Sequence, residues 1–207
     1  MRDVILAHGL WVPGIVMQPL AARLERAGFR CRTFSYPGAR RPLAAHAEGL
    51  ARFARETGAT HFVGHSLGGL VILEALNTYP ELAAGRVVLL GTPAQGCYAA
   101  RRLTRYPGGR WFLGQSEVLW REGRAARWTR SEPLGVLAGS LPLGLGRLFG
   151  PLPGANDGVV SVQESTVEGM RERVVLPVGH SAMLLSARVA GQVAAFLEGG
   201  RFAAADC

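Results

Sequence analysis

The chain has 207 residues, 48% of them hydrophobic and 18% charged, with a formal net charge of +8. That length holds one domain with a full core, and so apolar a composition excludes extended disorder. Every basic residue is arginine, and residues 101–130 hold eight of them against Glu117 and Glu122; no nucleic-acid-binding motif accompanies this surplus, so a nucleic-acid partner is set aside.

In chain order the predicted elements alternate. Val4–Ala7 is a strand, and Val16–Ala27 a helix with Leu20 and Leu24 on one face and Gly28 as its stop. Arg30–Phe34 is the second strand. Pro42 starts a helix that runs to Thr57, with Leu43, Ala47, Leu50 and Ala54 at helical spacing and Gly58 ending it. Strand Thr60–Val63, helix Leu67–Tyr79 and strand Arg86–Leu90 follow, then strands Leu134–Ala138 and Arg173–Leu176. Ser181–Glu198 is the last helix, and Arg201–Cys207 reads as a frayed tail. Short, continuously apolar strands between helices describe an α/β fold, a mainly parallel sheet of about six strands with helices on both faces. Residues 1–207 read as a single domain. Residues 94–131, rich in arginine and aromatics, are a small lid-like insertion, and residues 139–156 are a Gly/Leu/Pro-rich connection.

Met1-Arg2-Asp3 leads straight into the first strand rather than into a secretory leader, and no apolar run is long enough to span a bilayer, so the expected compartment is the cytoplasm. Cys31, Cys97 and Cys207 match neither a zinc spacing nor a paired disulfide framework. His61 and His65 straddle a strand and a turn rather than sharing a helix face. No metal is expected.

Residues 64–69 read Gly-His-Ser-Leu-Gly-Gly, where a strand hands over to a helix. A Gly-x-Ser-x-Gly run at such a junction is a nucleophile elbow, in which small residues at Gly64 and Gly68 let the backbone turn tightly enough to thrust out the Ser66 hydroxyl. The same turn aims the first free helix amides at whatever Ser66 attacks. A serine needs a base, and the base needs an acid to orient it. His180 is the one histidine after Ser66, and the aspartates are Asp3, Asp157 and Asp206. Asp3 precedes the first strand and Asp206 lies in the tail, which leaves Asp157; Glu132, Glu164 and Glu168 stand as alternative carboxylates. Asp157 and His180 both lie in loops that leave the carboxyl ends of strands, the edge where an α/β sheet binds ligands. In Ala7-His8-Gly9-Leu10-Trp11 the turn at Gly9 offers the Leu10 N–H as an oxyanion donor beside that of Leu67. The His8 ring is read as a brace for this loop, with a second base as the alternative. Leu10 and Trp11 are candidate substrate-binding side chains.

His8-Gly9, Gly64–Gly69, Leu90-Gly91-Thr92-Pro93, Asn156-Asp157-Gly158-Val159-Val160 and Gly179-His180 together resemble a bacterial lipase/esterase of the α/β-hydrolase superfamily. The order Ser66, Asp157, His180 is also that superfamily's order. The resemblance covers the chain apart from residues 97–131, in a minimal form without the two strands that precede the first strand in larger members. It implies a cofactor-free serine hydrolase that cleaves carboxylic esters with a hydrophobic or lipid-like acyl group through an acyl-enzyme on Ser66. The alternative is a thioesterase or acyltransferase using the same three residues on an acyl-CoA or an acyl carrier.

Arginines and aromatics interleave through Arg101, Arg102, Arg105, Tyr106, Arg110, Trp111, Phe112, Trp120, Arg121, Arg124, Arg127 and Trp128. One reading is a solvated cap whose aromatics pack on the core. The other is an amphipathic lid, with peripheral contact to an anionic membrane or an acyl carrier through residues 101–130.

Overall fold

Six strands make one sheet: β1 (Arg2–Ala7), β2 (Phe29–Phe34), β3 (His61–His65), β4 (Val87–Leu90), β5 (Leu134–Gly139) and β6 (Glu172–Leu176). Every pairing is parallel, in the order β2-β1-β3-β4-β5-β6. The computed structural model describes residues 2–117, 119, 126–144 and 151–204. Parallel neighbours need crossovers, and the helices that cross also cover the sheet. Helices α1 (Gln18–Arg26), α2 (Leu43–Thr57) and α3 (Leu67–Thr78) follow the first three strands, and α4 (Tyr98–Leu103) and α5 (Gly109–Leu113) lie between β4 and β5. Helix α6 (Ala187–Gly199) closes the fold.

Alternation along the strands splits the core in two. Ile5, Ala7, Phe62, Val87 and Leu89 face α2 and α3, while Val4, Leu6, Val63, Val88 and Leu90 face α1 and α6. Successive side chains of a strand point to opposite faces, so a strand that is apolar throughout must be covered on both sides.

The expected last helix is in fact two pieces. Ser181–Leu184 forms a 3₁₀ turn, and α6 begins only after Ser186, whose Oγ accepts the Val189 N–H at 3.2 Å. That cap satisfies an otherwise orphaned amide and starts a fresh helix. Pro42 stands as the N-cap of α2 rather than inside it, and Gly58 ends the helix in the left-handed conformation.

The frayed-tail expectation is corrected over residues 202–204. Phe202 is buried against Phe196, its N–H donates to Glu172 Oε2, and the Gln192 side chain donates to the Ala203 carbonyl. An aromatic ring that fills the α6 face holds the chain down. Residues 205–207 lie outside the described part.

The long β4–β5 connection is tied down at several points. Ala126 N–H bonds Ala94 O, Gln115 N–H bonds Ala39 O, and Tyr98 N–H bonds the buried Glu164 carboxylate. Trp128 is buried, with its indole N–H on Glu132 O at 2.7 Å. Trp111, Phe112 and Tyr106 are exposed. Trp120, Arg121 and Arg124 lie outside the described residues. No helix among the described residues is long and apolar enough to cross a membrane.

Candidate active site

Ser66 stands between β3 and α3 with φ 55° and ψ −122°. A side-chain-bearing residue rarely adopts this region, and such strain persists only where the surroundings enforce it. Here they do: a methyl on Gly64 would lie 2.5 Å from Gly69 Cα, and one on Gly68 would lie 2.2 Å from the Ala7 carbonyl oxygen. Strand, turn and helix therefore approach closer than any residue but glycine permits. The Ser66 N–H donates to Leu90 O at 2.9 Å, which fixes the elbow to the end of β4.

Asp157 and His180 come together from the loops after β5 and β6. His180 Nδ1 is 2.8 Å from Asp157 Oδ2, and the His180 amide donates to the Asp157 carbonyl at 2.9 Å. The other carboxylate oxygen, Asp157 Oδ1, accepts the Val159 and Val160 amides at 2.9 and 2.7 Å. Asp157 is 1% exposed. A buried carboxylate with those partners holds the imidazole with its proton on Nδ1, which leaves the lone pair on Nε2. The alternative carboxylates are used elsewhere. Glu132 pairs with Arg130, Glu168 with Arg127, and Glu164 binds Ser161 and the Tyr98 amide. The Arg130 guanidinium keeps the Glu132 carboxyl below its ordinary range.

Gly91 links the elbow to this pair. It follows Leu90 with φ +53°, and a methyl there would sit 2.9 Å from Asp157 Oδ2 and 3.0 Å from His180 Nδ1. The dyad therefore packs directly on the end of β4, beside the strand that delivers Ser66.

Neither the Leu10 nor the Leu67 amide has a backbone acceptor among the described residues. Their side chains meet at Gly38, where a methyl would lie 3.3 Å from Leu10 Cδ1 and 3.4 Å from Leu67 Cδ2. A methyl on Gly9 would lie 3.1 Å from Ser66 Cβ, so the loop passes directly over the serine. His8 is buried and acts as the brace. Its Nε2 faces the Tyr36 N–H at 3.2 Å, which leaves Nδ1–H to donate to Gly9 O at 2.8 Å. Because a trans peptide sets its C=O and N–H in opposite directions, holding Gly9 O on the His8 ring turns the Leu10 N–H away from it. Tyr36 stacks on that ring at 4.4 Å and donates its hydroxyl to His8 O. Burial pushes the His8 pKa down, which favours the neutral form this pattern needs.

Three further residues emerge only from the fold. His65 lies under the dyad, its Nε2–H donating to His180 O at 3.1 Å and its ring 4.7 Å from that of His180. Burial first, and then the neighbouring His180, push its pKa down to about 3. Tyr36 fixes the His8 tautomer from the end of β2. Phe112 on α5 stacks on Trp11 with ring centroids 4.0 Å apart, and Trp11 has φ 57°. The Arg/aromatic interleaving marks the segment that supplies Phe112 but not its partner. Of the expected substrate-binding side chains, Leu10 is half-buried against the core and Trp11 is exposed.

A family model described as "Alpha/beta hydrolase family" matches residues 4–144. The chain belongs to the alpha/beta hydrolase family. Among solved structures, this hydrolase resembles the mature lipase BlEst2 of Bacillus licheniformis at 17% identity, over 95% of this chain and 91% of that one, with a TM-score of 0.69. It also resembles a hydrolase from Pseudomonas aeruginosa at 17% identity, over 96% and 90% of the two chains, with a TM-score of 0.66. A pyrethroid hydrolase, PytH, superposes at 14% identity with a TM-score of 0.69, over 97% and 98%. At these identities the likeness is one of fold. No curated protein matches the chain.

Proposed function

We propose that the protein hydrolyses carboxylic esters with a hydrophobic acyl group through an acyl-enzyme on Ser66. The observation that carries the reading is the Asp157–His180 pair, packed on Gly91 beside the strained turn at Ser66. His180 takes the Ser66 proton as Oγ attacks the ester carbonyl. The unclaimed Leu10 and Leu67 amides receive the charge that develops on the carbonyl oxygen. His180 then returns the proton to the leaving alcohol. A water deprotonated by the same imidazole attacks the acyl-enzyme, and collapse of the second tetrahedral intermediate frees the acid and restores Ser66. Asp157 keeps the imidazole in the tautomer that performs both steps and stabilises its charged form.

Ser66→Ala tests this directly. It should lower turnover of a nitrophenyl ester by several orders of magnitude while leaving the unfolding midpoint within experimental scatter, and a fluorophosphonate should label the wild type alone. Turnover that survives in pure variant would end the proposal. One observation favours a second reading: Arg101, Arg105 and Arg110 are exposed on the β4–β5 connection and suit an anionic acyl carrier. An acyl-CoA run beside the ester series separates thioesterase or acyl transfer from ester hydrolysis.

A further inference from the structure

Large hydrophobic side chains exposed on a soluble fold are unremarkable when scattered, and informative when gathered. Ten such side chains are exposed among the described residues. Trp11 and Ile15 follow β1, Trp111 and Phe112 follow β4, Leu143 follows β5 and Leu185 follows β6. Trp111 is 86% exposed, Ile15 69% and Leu143 62%. Ser66 opens at the carboxyl end of β3; Leu143 lies at that edge, its carbonyl oxygen 2.7 Å from where a methyl on Gly179 would sit, and Gly14, next to Ile15, packs on Thr33 and Ser35 at the end of β2. Trp11 and Phe112 are in contact, so the elements after β1 and β4 present one continuous aromatic surface there.

Among the described residues of the β4–β5 connection, the exposed charge outside ion pairs is basic. Arg101 and Arg105 are exposed and enter no ion pair among the described residues, and Arg110 is exposed with Glu117 3.6 Å away. Of the acidic groups described in the β4–β5 and β5–β6 connections, Asp157 and Glu164 are buried and hydrogen-bonded, while Glu117, Glu132 and Glu168 face Arg110, Arg130 and Arg127.

We propose that this carboxyl edge docks on an anionic lipid surface, presenting Ser66 to esters held in that surface. The aromatic and aliphatic side chains come from four separate connections. A lipid surface conforms to any relief, takes tryptophan at its headgroup level, and attracts arginine when its headgroups are anionic. Isolated apolar side chains around an opening with a cationic flank are what such a surface binds. The proposal names the source of the substrate for the ester-hydrolase reading and rests on that reading for what happens after docking.

The test uses full-length Ser66→Ala protein, which cannot consume the lipid by the proposed route, in co-sedimentation with phosphatidylglycerol and with phosphatidylcholine vesicles. Binding should favour phosphatidylglycerol and weaken with salt, because screening removes the arginine contribution. Adding Trp111→Ser, or Arg101→Glu with Arg105→Glu, should weaken it at least about tenfold. In a wild-type background the same changes should leave turnover of a soluble nitrophenyl ester unaltered. No binding to phosphatidylglycerol overturns the proposal, as does binding that neither set of substitutions weakens. Binding to an acidic acyl carrier protein with none to vesicles overturns it in favour of a protein partner. Vesicle binding by a protein that cleaves no ester would leave docking standing and remove the hydrolase reading instead.

Discussion

His65 gives the protein an acid liability whose size follows from its burial. In the unfolded chain the imidazole protonates at the ordinary value, about 6.5. In the folded protein burial and the neighbouring His180 hold it neutral down to about 3. Between those two values the unfolded state binds one proton more than the folded state, so stability falls as the pH falls. Above about 6.5 both states are neutral and the group contributes no slope, and below about 3 the loss is complete. The slope between them approaches about 1.4 kcal/mol per pH unit, and integrating from about pH 7 to pH 5 gives about 2 kcal/mol from this residue alone. Burial also lowers the pKa values of His8, His46 and His61, which adds slope of the same sign. The contribution of His65 is isolated by comparison with His65→Gln, whose amide keeps a donor for His180 O without titrating. Urea unfolding of both proteins across this range should show the wild type losing about 2 kcal/mol more than the variant. Equal losses in the two would mean that the ring is protonated in the folded protein and that its burial does not keep it neutral.

Asp157→Asn should keep the packing but reverse the hydrogen bond at His180 Nδ1, moving the proton to Nε2 and costing about 10⁴-fold in turnover; a near-wild-type rate removes Asp157 from the proposed mechanism. Gly91→Ala places a methyl 2.9 Å from Asp157 Oδ2 at φ +53°. Displacing the dyad by even a fraction of an ångström should lower turnover about 10²-fold, read by ester kinetics and by slowed fluorophosphonate labelling; unchanged kinetics would mean that the dyad does not rest on β4. Arg130 donates to the Leu76, Pro80 and Leu82 carbonyls and to both oxygens of Glu132. Arg130→Met should therefore destabilise the protein by roughly 2–4 kcal/mol in urea unfolding, because the end of α3 and a partly buried carboxylate lose their donors; a loss below half a kcal/mol, roughly, would show that water replaces them.

What the sequence by itself determined is what short stretches of chain decide. The parallel α/β sheet was legible because apolar strand runs and helical spacing alternate along the chain, and because each period dictates which faces must be buried. The elbow was legible because Gly64, Ser66 and Gly68 encode a backbone turn within five residues. His180 stood out because no other histidine follows Ser66. The choice among Asp157, Glu132, Glu164 and Glu168 was not decidable from composition. A carboxylate becomes the partner of His180 only through the positions of two loops, and those positions follow from β5 lying next to β6. The brace formed by Tyr36 on His8, the support of His65 beneath His180 and the stacking of Phe112 on Trp11 all join residues far apart in the chain. The same holds for the tail: Phe202 reads as part of a fraying end until α6 and β6 present the surface it fills. A local pattern fixes the conformation of its own segment. Which side chains then meet is settled by strand order and packing, which couple residues far apart in the chain.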